Sequence, residues 1–146
     1  MSRLEYAKSF RELLVYKKAK FVAKDVFEIT VRFPKDEKYS LTDQVRRASR
    51  SVGAQIAEAW AKRRYEKHFI SKLTDADGEQ QETQHWIDTA YDCGYLTGEE
   101  AGKLNHDLEE IGRMLNSMIG KAGSFCGETG FLIRESTADY FVSSID

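Results

Sequence analysis

Along four separate stretches of this chain, apolar and small residues return at steps of three and four, and that spacing suits packed amphipathic helices. The first stripe reads Val15, Ala19, Val22, Val26, Ile29 and Phe33. Ser9 is a competent N-cap ahead of it, so the first helix is expected to begin near Ser9. Pro34 ends it, because the residue before a proline is driven out of helical geometry. A polar connection from Lys35 to Ser40 leads to a second stripe of Leu41, Val45, Ala48, Val52, Ile56 and then Ala59 or Trp60. This second helix is expected to start around Ser40, with Asp43 in its first turn, where a negative charge suits the helix dipole. Small residues crowd it, and Gly53 in its middle costs about 1 kcal/mol of helix propensity, which implies a close contact or a local bend.

The third stripe, Phe69, Leu73, Ala76, Gln80, Thr83, Ile87 and Ala90, belongs to a helix expected from about Tyr65 to Cys93. Gln80 and Thr83 are polar, so this seam is expected to be wet or partly lined by a partner. Gly94 is placed to end the helix as a C′ glycine. The fourth helix opens on Thr97-Gly98-Glu99-Glu100, a capping box, and continues through Ala101, Leu104, Leu108, Ile111, Leu115, Met118 and Ala122. Short connections favour sequential neighbours, so the expected fold is all-α, an antiparallel up-down-up-down four-helix bundle over residues 1–122. Residues 123–146 form a glycine-interrupted C-terminal extension. It is too apolar for a solvated linker and is expected to pack in part, on its own bundle or on another subunit.

Function classes narrow by what is missing from the pattern. No run approaches the roughly 20 apolar residues of a membrane span. Met1 to Phe10 has charges and no apolar leader core, so no signal peptide is expected. Cys93 and Cys126 stand in no metal-like spacing and read as reduced cytoplasmic thiols, with a disulfide between them as the alternative. His68, His85 and His106 are scattered, and Glu82 with His85 is a single carboxylate–histidine pair rather than the duplicate a di-iron bundle needs. No nucleophile elbow or phosphate loop is present. No catalytic residue, metal or cofactor is expected, and the chain reads as a non-enzyme.

Charge carries more information. The sequence is nearly neutral, yet residues 1–67 hold 17 Lys and Arg against 9 Asp and Glu, and residues 68–146 hold 5 against 15. Arg46, Arg47 and Arg50 cluster near the start of the second helix, and Lys62, Arg63, Arg64 and Lys67 near its end. One reading is a phosphate-contacting surface whose affinity falls with salt. The other is pairing with the acidic half of the chain, within a subunit or between subunits, as in a Glu58–Lys62 pair. Glu58 and Glu82 are expected to serve as structural ion-pair partners, Glu82 with Arg47. A basic and an acidic flank also allow identical subunits to join head to tail and close into a ring. Gln80, Thr83, Phe131, Tyr140 and Phe141 are candidates for burial at that contact.

The segments Arg32-Phe33-Pro34-Lys35-Asp36-Glu37-Lys38-Tyr39-Ser40-Leu41, Gln44-Val45-Arg46-Arg47-Ala48 and Gln55-Ile56-Ala57-Glu58 come in that order and are followed by Gly78, Glu82 and Gly94-Tyr95-Leu96. Together with Ser9-Phe10-Arg11-Glu12-Leu13, this pattern resembles the bacterial four-helix-bundle proteins first noticed in intervening sequences of 23S ribosomal RNA genes. The resemblance covers roughly residues 9 to 122. It implies a bundle that assembles as a ring, typically a homopentamer. It also implies kinship with the accessory variability protein of diversity-generating retroelements, which works with a reverse transcriptase and binds nucleic acid. The expected role is a scaffold whose partner is itself, together with nucleic acid or a nucleic-acid enzyme. The alternative is a protein-interaction bundle with no nucleic-acid contact.

Overall fold

The computed structural model describes residues 7–126, which form four long helices and a short fifth with no strand among them. Ser9 does cap a helical turn, its hydroxyl accepting from the Arg11 N–H at 3.1 Å, but the turn is a 3-10 piece over Phe10–Glu12. The first α-helix, α1, runs Leu14–Thr30. The later start has a local cause: Leu13 is extended (φ −68°, ψ 131°), which drops its side chain into the core and breaks the run. The helix also stops before Phe33. The Thr30 hydroxyl donates back to the Val26 and Phe27 carbonyls, and Phe33 is buried from the turn that precedes Pro34.

A π-helical turn, Lys38–Thr42, feeds directly into α2, Asp43–Ala61. Helix α3 spans Glu66–Asp92 and α4 spans Gly98–Gly120. Between them Gly94 takes φ +80°, a conformation that favours glycine over any residue with a Cβ. Both bonds of the capping box form, Glu100 N–H to the Thr97 hydroxyl at 3.1 Å and Thr97 N–H to the Glu100 carboxylate at 2.9 Å.

Helix α3 packs along both α2 and α4, and α1 closes the bundle by packing on α2 and α4. The buried set on α3 is Phe69, Leu73, Ala76, Gln80, Thr83, Ile87 and Ala90, the whole of the periodic stripe. Ala59, rather than the half-buried Trp60, completes the stripe of α2. Gln80 and Thr83 depart from expectation in one respect: their burial is supplied by this chain. Thr83 donates to the Glu79 carbonyl at 2.8 Å, and the Gln80 amide donates to Asp77 at 2.9 Å and accepts from Gln84 at 2.7 Å. Gly112 of α4 faces Gln80, where an added Cβ would lie 2.8 Å from the amide nitrogen. The polar seam is therefore closed by a glycine and local hydrogen bonds, and a partner subunit is not needed to cover it.

The core also runs past residue 122. Helix α5, Ala122–Phe125, turns the chain so that Phe125 stacks on Phe69 with ring centroids 5.6 Å apart, and Cys126 is buried behind it. Phe131, Tyr140 and Phe141 lie outside the described residues.

Leu108 is fully buried at the centre of α4. Leu108→Asp strands a charge in that seam and is expected to cost about 4 kcal/mol or more. Circular dichroism and thermal melting check this, and a variant with wild-type helicity and melting would contradict the packing described here.

Candidate nucleic-acid interface

The basic residues of α2 divide into two groups. Arg46 is turned onto α1: its Nε donates to the Thr30 hydroxyl at 2.7 Å, and its guanidinium lies 4.7 Å from the Phe27 ring centroid. Arg47 reaches α3, with Nη2 2.6 Å from Glu82 and Nη1 3.5 Å from Glu79. The expected Arg47–Glu82 pair is therefore formed, though in a half-exposed setting rather than a buried one. Glu82 also accepts from the Trp86 indole at 3.0 Å. That bond first, and Arg47 second among the favourable contacts, hold the carboxyl below its ordinary range. Glu58 reaches across to Lys72 of α3 at 3.0 Å, a link between helices rather than the one along α2 expected from Lys62.

Arg63 folds back over Trp60, with its guanidinium 3.6 Å from the ring centroid and its Nε donating to the Trp60 carbonyl at 2.8 Å. Burial holds its pKa below the ordinary arginine value. Arg46, Arg47 and Arg63 thus each make a contact within the fold.

The remaining four differ. Arg50, Lys62, Arg64 and Lys67 are exposed and have no carboxylate within ion-pair distance among the described residues. Lys62, Arg64 and Lys67 gather at the turn from α2 into α3. Tyr65 stands among them, 58% exposed and packed on one side by His68 at 5.4 Å between ring centroids. Cations for phosphates beside an open aromatic face for bases form the combination used for single-stranded nucleic acid. The basic run was legible in the sequence. Tyr65 was not singled out, although an aromatic residue lying off the apolar stripe directly after the Lys62-Arg63-Arg64 run was the available signal.

Elsewhere the chemistry is sparse. Among the described residues no group of three His, Cys, Asp or Glu gathers to hold a metal, and no helix is long and apolar enough to cross a membrane. Cys93 and Cys126 are both free thiols, and burial pushes Cys126 up to about 11.

The comparisons agree with this architecture. The family model described as 23S rRNA-intervening sequence protein matches residues 11–117. A crystal structure from Bacteroides thetaiotaomicron, described as a protein with unknown function from the S23 ribosomal protein family, is similar at 29% identity and a TM-score of 0.64. The likeness covers 72% of this chain and 97% of that one. No curated protein matches. The fold is a four-helix bundle, and the chain belongs to the 23S rRNA-intervening sequence protein family.

Its carboxylates give the bundle a pH dependence of definite sign. Glu100, bonded to Arg32 and to the Thr97 backbone, is held down at about 2. Glu82 and Glu110 are lowered too, Glu110 chiefly by the Lys18 ammonium at 2.8 Å. Groups with depressed folded-state pKa values stabilise above the unfolded value and lose that contribution as pH falls through the folded one. The urea midpoint is therefore expected to drop as pH is taken from about 5 to about 3, and Glu100→Gln should lose less over that span. A midpoint that rises or stays level on acidification would contradict these assignments.

Proposed function

We propose that this protein is a non-enzymatic, cytoplasmic scaffold. It forms an antiparallel up-down-up-down bundle that assembles head to tail into a ring, and it holds nucleic acid, or an enzyme acting on nucleic acid, at the α2–α3 corner. The observation that carries this reading is the set of cations with no ion-pair partner among the described residues: Lys62, Arg64 and Lys67 beside the open ring of Tyr65. Structural pairing accounts for Arg47 but leaves these three unexplained.

The alternating direction of the helices is supported by the order of their contacts. Along α1, Lys18 meets Asp107 and Glu110, Asp25 meets Lys103, and Arg32 meets Glu100, so numbers rise on one helix as they fall on the other. Head-to-tail assembly follows from the basic α1–α2 flank and the acidic α3–α4 flank, since a heterologous contact between unlike flanks closes when its rotation closes. Five subunits is the number that the family resemblance implies. Exposed ion pairs give only about 0–1 kcal/mol each, so apolar burial must supply most of the affinity. A second reading, a protein-interaction bundle without nucleic acid, is favoured by one observation: Phe21 and Phe27 are about half exposed on the α1–α2 face.

Mobility shift with single-stranded and duplex oligonucleotides tests the main reading. Binding is expected to fall roughly a hundredfold when salt rises fourfold, as for about four neutralised phosphates. The double variant Arg64→Glu/Lys67→Glu should abolish binding, whereas Arg47→Ala should retain most of it. Equal binding by the double variant and the wild type would overturn the placement at the α2–α3 corner, and no binding by the wild type would overturn the proposal in favour of the second reading. Light scattering addresses assembly: a particle of several subunits is expected, and a monomer or a strict dimer at micromolar concentration would refute the ring.

A further inference from the structure

A cleft of about 810 Å³ runs along the outer face between α1 and α2. Its floor is apolar. Phe21 and Phe27, 54% and 43% exposed, flank the small residues Gly53, Ala54 and Ala57 of α2. Lys17, Lys20, Lys24 and Arg50 stand on its rim, and no carboxylate lines it. An exposed apolar trough fenced by cations suits an apolar segment bearing negative charge, the helix-in-groove or strand-on-surface mode of recognition.

The groove between α3 and α4, which a neighbouring subunit would present in the head-to-tail ring, does not meet that description, so the ring contact would lie beside the cleft rather than in it. Among its lining residues are Asp77, Gln81, Asp88, Glu109 and Arg113, and it offers no apolar side chain to bury Phe21 or Phe27. The sequence past the described residues meets it on both counts. Residues 127–146 carry Glu128, Glu135, Asp139 and Asp146 against the single cation Arg134, interleaved with Phe131, Leu132, Ile133, Tyr140, Phe141 and Val142. The starting point also fits. The described chain ends at Cys126, beside Arg63 and Glu66 at the α2–α3 corner, and Ala57 at the near end of the cleft is about 9 Å back along α2 from Arg63. Residues 127–146 can span up to roughly 65 Å, several times the roughly 17 Å of α1 between Tyr16 and Phe27.

We infer that the cleft between α1 and α2 is the seat of this chain's own segment 127–146, its apolar residues on Phe21 and Phe27 and its carboxylates against the lysine rim. The cleft is then an intramolecular docking site, distinct from the α2–α3 corner and separately testable.

The test uses the full chain with Cys93→Ser and Cys126→Ser, so that introduced thiols are the only ones. Ala54→Cys places a thiol in the cleft and Ser143→Cys one beside the apolar run 140–142. Mild oxidation without added nucleic acid is expected to give an intramolecular disulfide at least tenfold faster than in a control pairing Ser143→Cys with Gln81→Cys on α3. In a second arm, Phe21→Asp, a change at an exposed site that spares the core, should speed proteolysis within 127–146 at least threefold while leaving thermal melting of the bundle near wild type. Equal oxidation in the two cysteine pairs, a disulfide only between chains, or unchanged proteolysis in Phe21→Asp would each overturn the inference. The mobility-shift outcome for Arg64→Glu/Lys67→Glu does not bear on it, so the two proposals fail separately.

Discussion

The fold depends on the seam of α3. That helix makes the most extensive contacts with its two neighbours, α2 and α4, and α1 closes the bundle against the same two. The seam is not wholly apolar. At its middle Gln80 is buried, and burying an amide is tolerable only when its hydrogen bonds are made. Asp77 and Gln84 supply them from one turn before and one turn after, so the amide is satisfied along its own helix. Gly112 supplies the room, because an alanine there would press its Cβ against the amide nitrogen at 2.8 Å. A glycine inside a helix costs about 1 kcal/mol against alanine, and here the Gln80 side chain lying against Gly112 accounts for it.

Charge is arranged around that seam rather than within it. Cations are in excess over residues 1–67 and anions over residues 68–146, a distribution that by itself suggests a subunit with two opposed flanks. In the folded chain part of that excess is consumed across the helix contacts, where Arg47 meets Glu79 and Glu82, Lys18 meets Asp107 and Glu110, and Arg32 meets Glu100. Each of these is at least partly solvated, so its contribution to stability is small. Their larger consequence is the sorting they perform. Cations near the long contacts are absorbed, while Lys17, Lys20 and Lys24 on α1 and Lys62, Arg64 and Lys67 at the α2–α3 turn have no carboxylate within ion-pair distance among the described residues.

Most of the helical architecture was legible because period and punctuation agree. The α3 stripe and the capping box at Thr97 match residue for residue, and Gly94 takes the positive φ that its position implies. The boundaries of α1 were not legible, since they turn on the extended backbone of Leu13 and the back-bonding hydroxyl of Thr30, which periodicity does not register. The candidate site was legible only as a list of cations. Which of them stay free depends on who stands opposite: Phe27 and Thr30 for Arg46, Glu82 for Arg47, Trp60 for Arg63. Those partners are 3 to 35 residues away, and only the packing of α1, α2 and α3 brings the distant ones into reach. The cleft was illegible for the opposite reason. Phe21 and Phe27 fall off the α1 stripe, and an off-stripe phenylalanine has no meaning until the small residues of α2 are seen to lie beside it.

The two ends of α2 differ in how their charges are placed. At its start, the connection after α1 is stitched to the connection before α4. Arg32 donates to the Tyr95 carbonyl and binds Glu100, and the Tyr95 hydroxyl donates to Glu37 at 2.7 Å. That last bond raises the tyrosine to about 12, so the phenol stays a donor throughout the physiological range. Here the charges are paired and the hydroxyl is used. About 28 Å away, at the other end of the helix, the turn into α3 leaves its lysines, Arg64 and the ring of Tyr65 to solvent. Glu66 is the one carboxylate within residues 62–67, so cations are in excess there and repel one another. The stitched end already sets the register of the bundle. On the proposed reading, the open end offers those charges to an anionic partner.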